Sequence, residues 1–198
     1  MKIGIDIDDT ISATFEKAFI DAQKFDIEEL GNSGNVQNYG KIENHFYIET
    51  MYPHWSKEQV ELFWTKYFKS ILIGVEIKPY AAEVIQKMKE EGNEIFIITS
   101  RFEEKEFDTE RHTRNWLKEH KIPDDNLIVN VQDKGKISKE LGLELFIDDS
   151  IEHCRNIQKA GSKTFLMTTN MNQGVEAPDL ERVYSWIQIY EKYRKRRK

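Results

Sequence analysis

Aspartate residues cluster at two points of the sequence where a short apolar segment ends. Asp6–Thr10 (DIDDT) follows one apolar run, and the pair Asp148-Asp149 follows another. Carboxylates packed together are costly in desolvation and mutual repulsion, so these are not ordinary core residues. A divalent cation offsets that repulsion, and oxygen ligands without a nearby cluster of Cys or His favour magnesium. The two segments therefore predict a Mg²⁺ site.

A third polar segment, Thr99-Ser100-Arg101, follows the apolar run at 95–98. In a parallel sheet, ligands bind outside the carboxyl ends of the strands, so all three segments are expected to meet there. The alternative is that some of these residues simply cap the helices that follow, as Asp and Ser often do. Capping accounts for one aspartate at each segment, but it does not account for the pair Asp6 and Asp8.

The elements that must position these residues predict an α/β fold. Strands and helices alternate from about residue 78 onward, which predicts a Rossmann-like parallel sheet with helices on both faces. The segment 12–77 has helical and loop patterns only, and predicts a small helical cap inserted after the first strand. Residues 1–11 and 78–198 are then expected to form the catalytic core.

Individual elements are predicted from periodicity and capping signals. Predicted strands cover 2–7, 94–99, 127–131, 145–147 and 163–167, and predicted helices cover 12–24, 79–91 and 110–120, with others that begin at Ser56, after Ser150 and near Leu180. Ser56 opens its helix with a capping-box pattern, Ser-Lys-Glu-Gln.

Composition narrows the choice of partners and compartment. The formal charge of −6 argues against nucleic acid as a partner, although the basic stretch 192–198 leaves that contact open. A single cysteine, Cys154, excludes an intrachain disulfide and suits a reducing cytosol. No signal peptide or membrane-spanning run is visible, so we expect a cytoplasmic protein with no membrane partner. The sequence does not indicate the oligomeric state.

The three polar segments together resemble the signature motifs of the haloacid dehalogenase superfamily. Asp6–Thr10 resembles the first motif, Asp-x-Asp-x-Thr after an apolar strand, and residues 95–99 resemble the second, an apolar strand that ends in Thr or Ser. Residues 146–149 resemble the fourth, an apolar strand that ends in paired acids. Ile98–Arg101 and Phe146–Ser150 look most like the cytosolic 5′(3′)-deoxyribonucleotidases and the related bacterial nucleotidases.

The resemblance implies a role for each of these residues. Asp6 would attack phosphorus and form an aspartyl-phosphate, and Asp8 would act as general acid and then as general base. Thr99 and Ser100 would bind the phosphoryl group. The implied Mg²⁺ ligands are Asp6, the main chain at Asp8, and Asp148 or Asp149.

The third motif of the superfamily is a lysine that binds phosphate. Lys134 in the segment 133–136 (DKGK) is favoured for this role, and Lys136 is the alternative. Arg101 directly follows the second motif and is a further candidate to reach substrate.

The aromatic residues of the predicted cap divide into two groups. A helical stripe is expected to form the interior of the cap: Phe63, Trp64, Tyr67 and Phe68. Phe46, Tyr47 and Trp55, in the irregular part, are the candidates to stack on a base.

Magnesium-dependent phosphomonoester hydrolysis, with a (deoxy)nucleoside monophosphate as the small phosphorylated substrate, is the leading hypothesis. Sugar phosphates or nucleic-acid ends are alternative substrates. A non-catalytic phosphate-binding module is a third hypothesis, but a module without chemistry has no need of both Asp6 and Asp8.

Overall fold

A computed structural model describes residues 1–42, 47–102 and 107–197, which contain a parallel sheet of six strands. The strands are β1 (Lys2–Ile5), β2 (Glu94–Ile98), β3 (Leu127–Ile128), β4 (Leu145–Asp148), β5 (Lys163–Met167) and β6 (Arg182–Val183). They pair in the order β3-β2-β1-β4-β5-β6. The predicted parallel α/β fold is confirmed. Because β1 lies between β2 and β4, the ends of the three motif-bearing strands are adjacent.

The helices lie between the strands and in the segment that follows β1. They are α1 (Thr14–Lys24), α2 (Tyr47–Met51), α3 (Lys57–Ile73), α4 (Ala81–Glu90), α5 (Thr109–Glu119), α6 (Lys134–Leu141), α7 (Ile151–Lys159) and α8 (Trp186–Arg197). A π-helical turn, Phe25–Glu29, continues α1. The predicted capping box at Ser56 is confirmed, since its hydroxyl accepts from Gln59 N and the Gln59 side chain accepts from Ser56 N.

Three predicted boundaries in the sheet were wrong by two residues or more. The third strand was expected to reach Val131, but β3 ends at Ile128, and Asn130 beyond it adopts the left-handed conformation at φ 57°. The first strand was expected to reach Ile7, but β1 ends at Ile5 because the chain turns there, with the Ile7 carbonyl accepting from Thr10 N and Ile11 N. A helix was expected to begin near Leu180, but β6 occupies that place and α8 begins at Trp186. A two-residue edge strand carries too little periodicity to be seen in the sequence.

Successive residues of the strands face opposite sides of the sheet, and each side carries its own helices. On one face Ile3 and Ile5 pack with side chains of α4, α5 and α8. On the other face Phe146 packs with α6 and α7. Gly4 faces this second side, and a Cβ at Gly4 would lie 2.5 Å from the Phe146 ring, so the close approach of the ring requires glycine there.

The segment after β1 packs around a separate cluster of buried side chains. Phe15, Phe25, Tyr52 and Phe63 are among its members. The chain enters and leaves this helical insertion side by side, with an antiparallel bridge between Ser12 and Ile77. The division of the chain into a core and a cap, residues 12–77, stays a prediction.

The C-terminal helix α8 is packed onto the sheet and is not a free basic tail. Tyr193 is buried, and its hydroxyl donates to Glu91. Lys192 and Arg196 both pair with Glu181. Across the described ranges of the chain, no helix combines the length and apolar character needed to cross a membrane.

The insertion is organised by one buried carboxylate. Asp26 is fully buried and accepts hydrogen bonds from Trp55 Nε1 at 2.6 Å, Asn32 Nδ2 at 2.9 Å and Gly34 N at 2.9 Å. His54 Nε2 lies 2.9 Å from the same carboxylate. Although burial opposes it, these hydrogen bonds hold the pKa of Asp26 below its ordinary value.

We expect Asp26→Ala to destabilise the protein by about 3 kcal/mol at neutral pH, because it leaves several buried donors without an acceptor. Because folding lowers the pKa of Asp26, its carboxylate stabilises the protein fully only at pH values above the pKa of the unfolded carboxyl. The difference in unfolding free energy between wild type and variant should therefore shrink as the pH falls below about 4. Urea unfolding measures both effects. The exposed Glu28→Ala is the matched control, and an equal loss in both variants would contradict the role of Asp26.

Candidate active site

Asp6 lies at the carboxyl edge of the sheet, directly after the central strand β1. Its main-chain N–H donates to the Ile147 carbonyl at 3.0 Å, which fixes it beside the end of β4. The loop then turns sharply, with Asp9 in the left-handed region at φ 59°. This turn keeps Asp6 and Asp8 at the edge of the sheet, where the polar ends of β2 and β4 also lie.

Three buried carboxylates converge at this edge. Asp6, Asp148 and Asp149 each offer an oxygen that lies within 4.8 Å of the other two. Burial raises the pKa of Asp6 to about 6, and burial with the neighbouring Asp9 raises that of Asp149 well above its ordinary value. Repulsion between the carboxylates adds to the effect of burial on these pKa values. A divalent cation would relieve that repulsion, and an all-oxygen donor set suits Mg²⁺. The residues present therefore fit a magnesium ion.

Lys134 lies between two of these carboxylates. Its ammonium is 2.6 Å from Asp6 Oδ1 and 2.8 Å from Asp148 Oδ2, and only 1% of its side chain is exposed. Although burial opposes it, Asp148 and Asp6 hold the pKa of Lys134 above its ordinary value, so the lysine stays charged. Lys134 in turn, followed by His153, lowers the pKa of Asp148 against the effect of its burial. The alternative residue, Lys136, is exposed and pairs with Glu140.

Local structure at the start of α6 fixes Lys134 in this place. Asp133 caps the helix by accepting from Lys136 N at 2.9 Å, and Asn156 on α7 donates to the same carboxylate oxygen. A Cβ at Gly135 would lie 2.2 Å from the Asn156 side chain, so only glycine lets α6 approach α7 this closely. The Asp-Lys-Gly sequence is therefore explained by packing as well as by charge.

Asp8 lies apart from the three-carboxylate cluster and is held by Arg101. The guanidinium donates from Nε to Asp8 Oδ2 at 2.8 Å and from Nη2 to Oδ1 at 2.7 Å, and the Thr14 hydroxyl donates to Oδ1 at 2.7 Å. Although burial opposes it, Arg101 holds the pKa of Asp8 below its ordinary value. Arg101, expected to be a candidate for substrate contact, is thus engaged by Asp8.

The two hydroxyl residues after β2 differ in how their protons are used. Thr99 Oγ1 accepts from Arg101 N at 3.2 Å, so its own hydroxyl proton can still be donated to a ligand. Ser100 Oγ donates to the Val131 carbonyl at 2.9 Å. Both residues line the cavity described below, but the Ser100 hydroxyl would have to rotate before it could donate to a phosphate.

Helix capping accounts for two residues of the acidic segments but not for the others. Asp9 Oδ1 accepts from Phe15 N at 2.7 Å, in the first turn of α1, and Ser150 caps α7 by accepting from His153 N. Sequence reasoning assigned no site role to His153, yet its Nδ1 is 3.4 Å from Asp148 Oδ1. The available signal was its place one turn after the acidic pair.

A cavity of about 560 Å³ opens above these residues, with the insertion forming its far side. Trp55 was expected to face a ligand, but it is buried in the interior of the insertion and stacks on Tyr52 at 4.5 Å. Phe68, expected in that interior, lines the cavity instead, and Trp64 packs against the interior and lines the cavity as well. Phe46 lies outside the described residues, and the side chain of Tyr47 is likewise not described.

Comparisons with known proteins find relatives in sequence and in fold. No protein-family profile matches the sequence. A nucleotidase of Clostridium acetobutylicum is 28% identical over 134 residues, or 67% of each chain. A Bacillus cereus protein that also carries a nucleotidase name is 27% identical, over 96% of each chain.

Solved structures are similar over nearly the whole chain. A haloacid dehalogenase-like hydrolase of Streptococcus pneumoniae gives a TM-score of 0.70 at 13% identity, over 97% of each chain. The chain has the haloacid dehalogenase fold. The predicted resemblance to this superfamily is thereby confirmed for the fold. Another protein of the superfamily, from Deinococcus radiodurans, was solved with phosphate and sodium bound, and gives a TM-score of 0.64 at 12% identity, over 95% of this chain and 92% of that one.

Asp149→Asn is expected to raise the Tm by about 3 °C without added metal, because it removes one buried negative charge from a repulsive cluster. Because the pKa of Asp149 is raised in the folded protein, its ionisation costs stability as the pH rises above the unfolded pKa of about 4, so the gain in Tm should grow with pH. Mg²⁺ should raise the Tm of wild type and leave the variant unchanged. Thermal unfolding with and without Mg²⁺ checks this.

The control is Asp179→Asn, which removes an exposed carboxylate paired with Arg155. It should keep the Mg²⁺ response of wild type. A full Mg²⁺ response in Asp149→Asn would rule that carboxylate out as a ligand.

Proposed function

We propose that this chain is a magnesium-dependent phosphomonoesterase that acts on nucleoside monophosphates through an aspartyl-phosphate at Asp6. The observation that carries the proposal is the buried Asp6 carboxylate, paired with Lys134 beside two further acids at the floor of an open cavity. A structural ion pair would not need the additional carboxylate of Asp149. A nucleophile that must also meet a metal and a phosphate needs this arrangement.

Asp6 attacks phosphorus, and the bond from phosphorus to the leaving oxygen breaks. Asp8 supplies a proton to that oxygen. In the second step Asp8 takes a proton from the water that attacks the aspartyl-phosphate, the bond from phosphorus to the Asp6 oxygen breaks, and inorganic phosphate leaves. Lys134 and the Thr99 hydroxyl donate to the phosphoryl oxygens. Arg101 orients the Asp8 carboxylate through its two hydrogen bonds and does not contact the reacting atoms.

Magnesium would be held by Asp6 and Asp149, with the main chain at Asp8 as a further ligand. Both Asp148 oxygens are already engaged, by Lys134 and by Ser150 N. The described residues donate no hydrogen bond to the Asp149 side chain, which favours Asp149 as the direct ligand. When bound, Mg²⁺ reduces the repulsion between the Asp6 carboxylate and the phosphate.

A nucleoside as the leaving group is supported by the cavity and by the relatives. Trp64, Phe68 and Phe102 offer aromatic surface to a base, and the volume falls within the range of roughly 300–1,000 Å³ that is usual for small-molecule sites. Two relatives carry nucleotidase names. The segment 12–77 would serve as the lid that covers the leaving group, and the cytosol stays the proposed compartment.

Phosphate release should be measured with 5′- and 3′-nucleoside monophosphates, sugar phosphates and 4-nitrophenyl phosphate, with Mg²⁺ or EDTA. Asp6→Asn should abolish release from every compound, because it removes the nucleophile. Asp8→Asn should lose about 10³-fold with nucleotides but less with the aryl phosphate, whose leaving group needs little protonation. Release from Asp6→Asn at the wild-type rate would exclude the mechanism, and absence of release by wild type would favour a binding module.

Arg101→Gln is expected to lower kcat about 100-fold with little change in KM, because Asp8 loses its orientation while the substrate loses no contact. Steady-state kinetics with the best substrate of the panel measure the two constants. Arg114→Gln, which breaks ion pairs with Glu110 and Asp124 away from the cavity, is the matched control. A rise in KM at constant kcat would instead mean that Arg101 binds substrate.

A further inference from the structure

Among its described residues, the wall of the cavity that the insertion supplies is apolar except for one carboxylate and the Thr14 hydroxyl, which donates to Asp8. Glu49, on α2, is its only charged side chain among the described residues. The other members from the insertion are Thr14, Ile42, Trp64, Phe68, Ile71 and Leu72. Whatever faces this wall therefore meets hydrocarbon, aromatic rings and one negative charge.

The packing of α2 directs Glu49 toward the cavity. Its neighbours Ile48 and Met51 are fully buried in the interior of the insertion, which fixes the orientation of this short helix. Glu49 itself is exposed and lines the cavity. Glu49 and Asp6 therefore line the same cavity, into which the leaving group of a phosphate bound over Asp6 would extend.

The cations on the opposite wall are already paired. Lys134 lies between Asp6 and Asp148, and Arg101 is bound through two nitrogens by Asp8. The charge of Lys134, with a bound metal, suffices for one phosphate over Asp6. A second anionic group on the same molecule would meet Glu49 without an unpaired cation among the described lining residues, and like charges repel.

We propose that Glu49 selects phosphomonoesters whose leaving group carries hydrogen-bond donors and no second anionic group. A carboxylate accepts hydrogen bonds from hydroxyl and amino groups, such as those of a sugar or a base, and disfavours carboxylates and further phosphates. The selection rests on the proposed function, since it concerns the leaving group of that reaction. Nucleoside monophosphates are then expected to be better substrates than bisphosphates or phosphorylated acids.

The test compares two aryl phosphates that differ mainly in charge, 4-carbamoylphenyl phosphate and 4-carboxyphenyl phosphate. Wild type should favour the neutral carbamoyl compound about tenfold in kcat/KM. Glu49→Gln should reduce that preference, and Glu49→Lys should abolish or reverse it. Glu61→Lys makes the same charge change on an exposed residue of α3 that does not line the cavity, and should keep the wild-type preference.

Each other outcome counts against a definite part of the inference. An unchanged preference in a folded Glu49→Lys protein, with the Tm of wild type, would overturn the role of Glu49. An equal change in Glu61→Lys would assign the effect to net charge and would overturn it as well. Hydrolysis of neither compound by wild type would overturn the proposed function itself, and the selectivity with it.

Discussion

The ion pair of Lys134 with Asp6 and Asp148 is the interaction on which the site depends. Carboxylates brought this close inside a protein are costly unless a positive charge compensates them. Burial, together with repulsion from the neighbouring acids, keeps the pKa values of Asp6 and Asp149 raised in spite of Lys134. The remaining repulsion is what a metal ion would remove. Much of the surrounding structure serves to keep Lys134 in place, from the Asp133 cap to the close contact of Gly135 with Asn156.

The parts of the site that could be predicted are those that a strand carries with it. An apolar run that ends in acids or in hydroxyl residues identifies the carboxyl edge of a parallel sheet, and the adjacency of β1, β2 and β4 then brings Asp6, Thr99 and Asp148 together. The ion pair of Arg101 with Asp8 joins residues 93 positions apart, and no pattern in the sequence relates the two. It depends on side-chain directions that only the folded chain defines.

The aromatic residues of the insertion show a second limit of the same kind. Helical periodicity predicted one stripe, but it could not say which of its members faces the interior and which faces the cavity. Phe63 packs inside, whereas Trp64 and Phe68 reach the cavity. Trp55 was assigned outward because it lies in an irregular segment, yet the buried Asp26 carboxylate draws its indole inward. The direction of the Trp55 side chain therefore depends on Asp26, an acceptor distant in the sequence, and the local pattern around Trp55 could not predict it.

The two hydrogen bonds from Arg101 to Asp8 affect both steps of the proposed reaction. A guanidinium with two hydrogen bonds to the carboxylate stabilises the ionised form, which suits the step in which Asp8 takes a proton from water. The earlier step needs the protonated form. A phosphate bound over Asp6 brings negative charge toward Asp8, and a like charge raises the pKa of a carboxyl group. Substrate and Arg101 thus shift the pKa of Asp8 in opposite directions. The protonated form becomes more populated when a phosphate is bound, and the ionised form becomes more populated again as the leaving group departs.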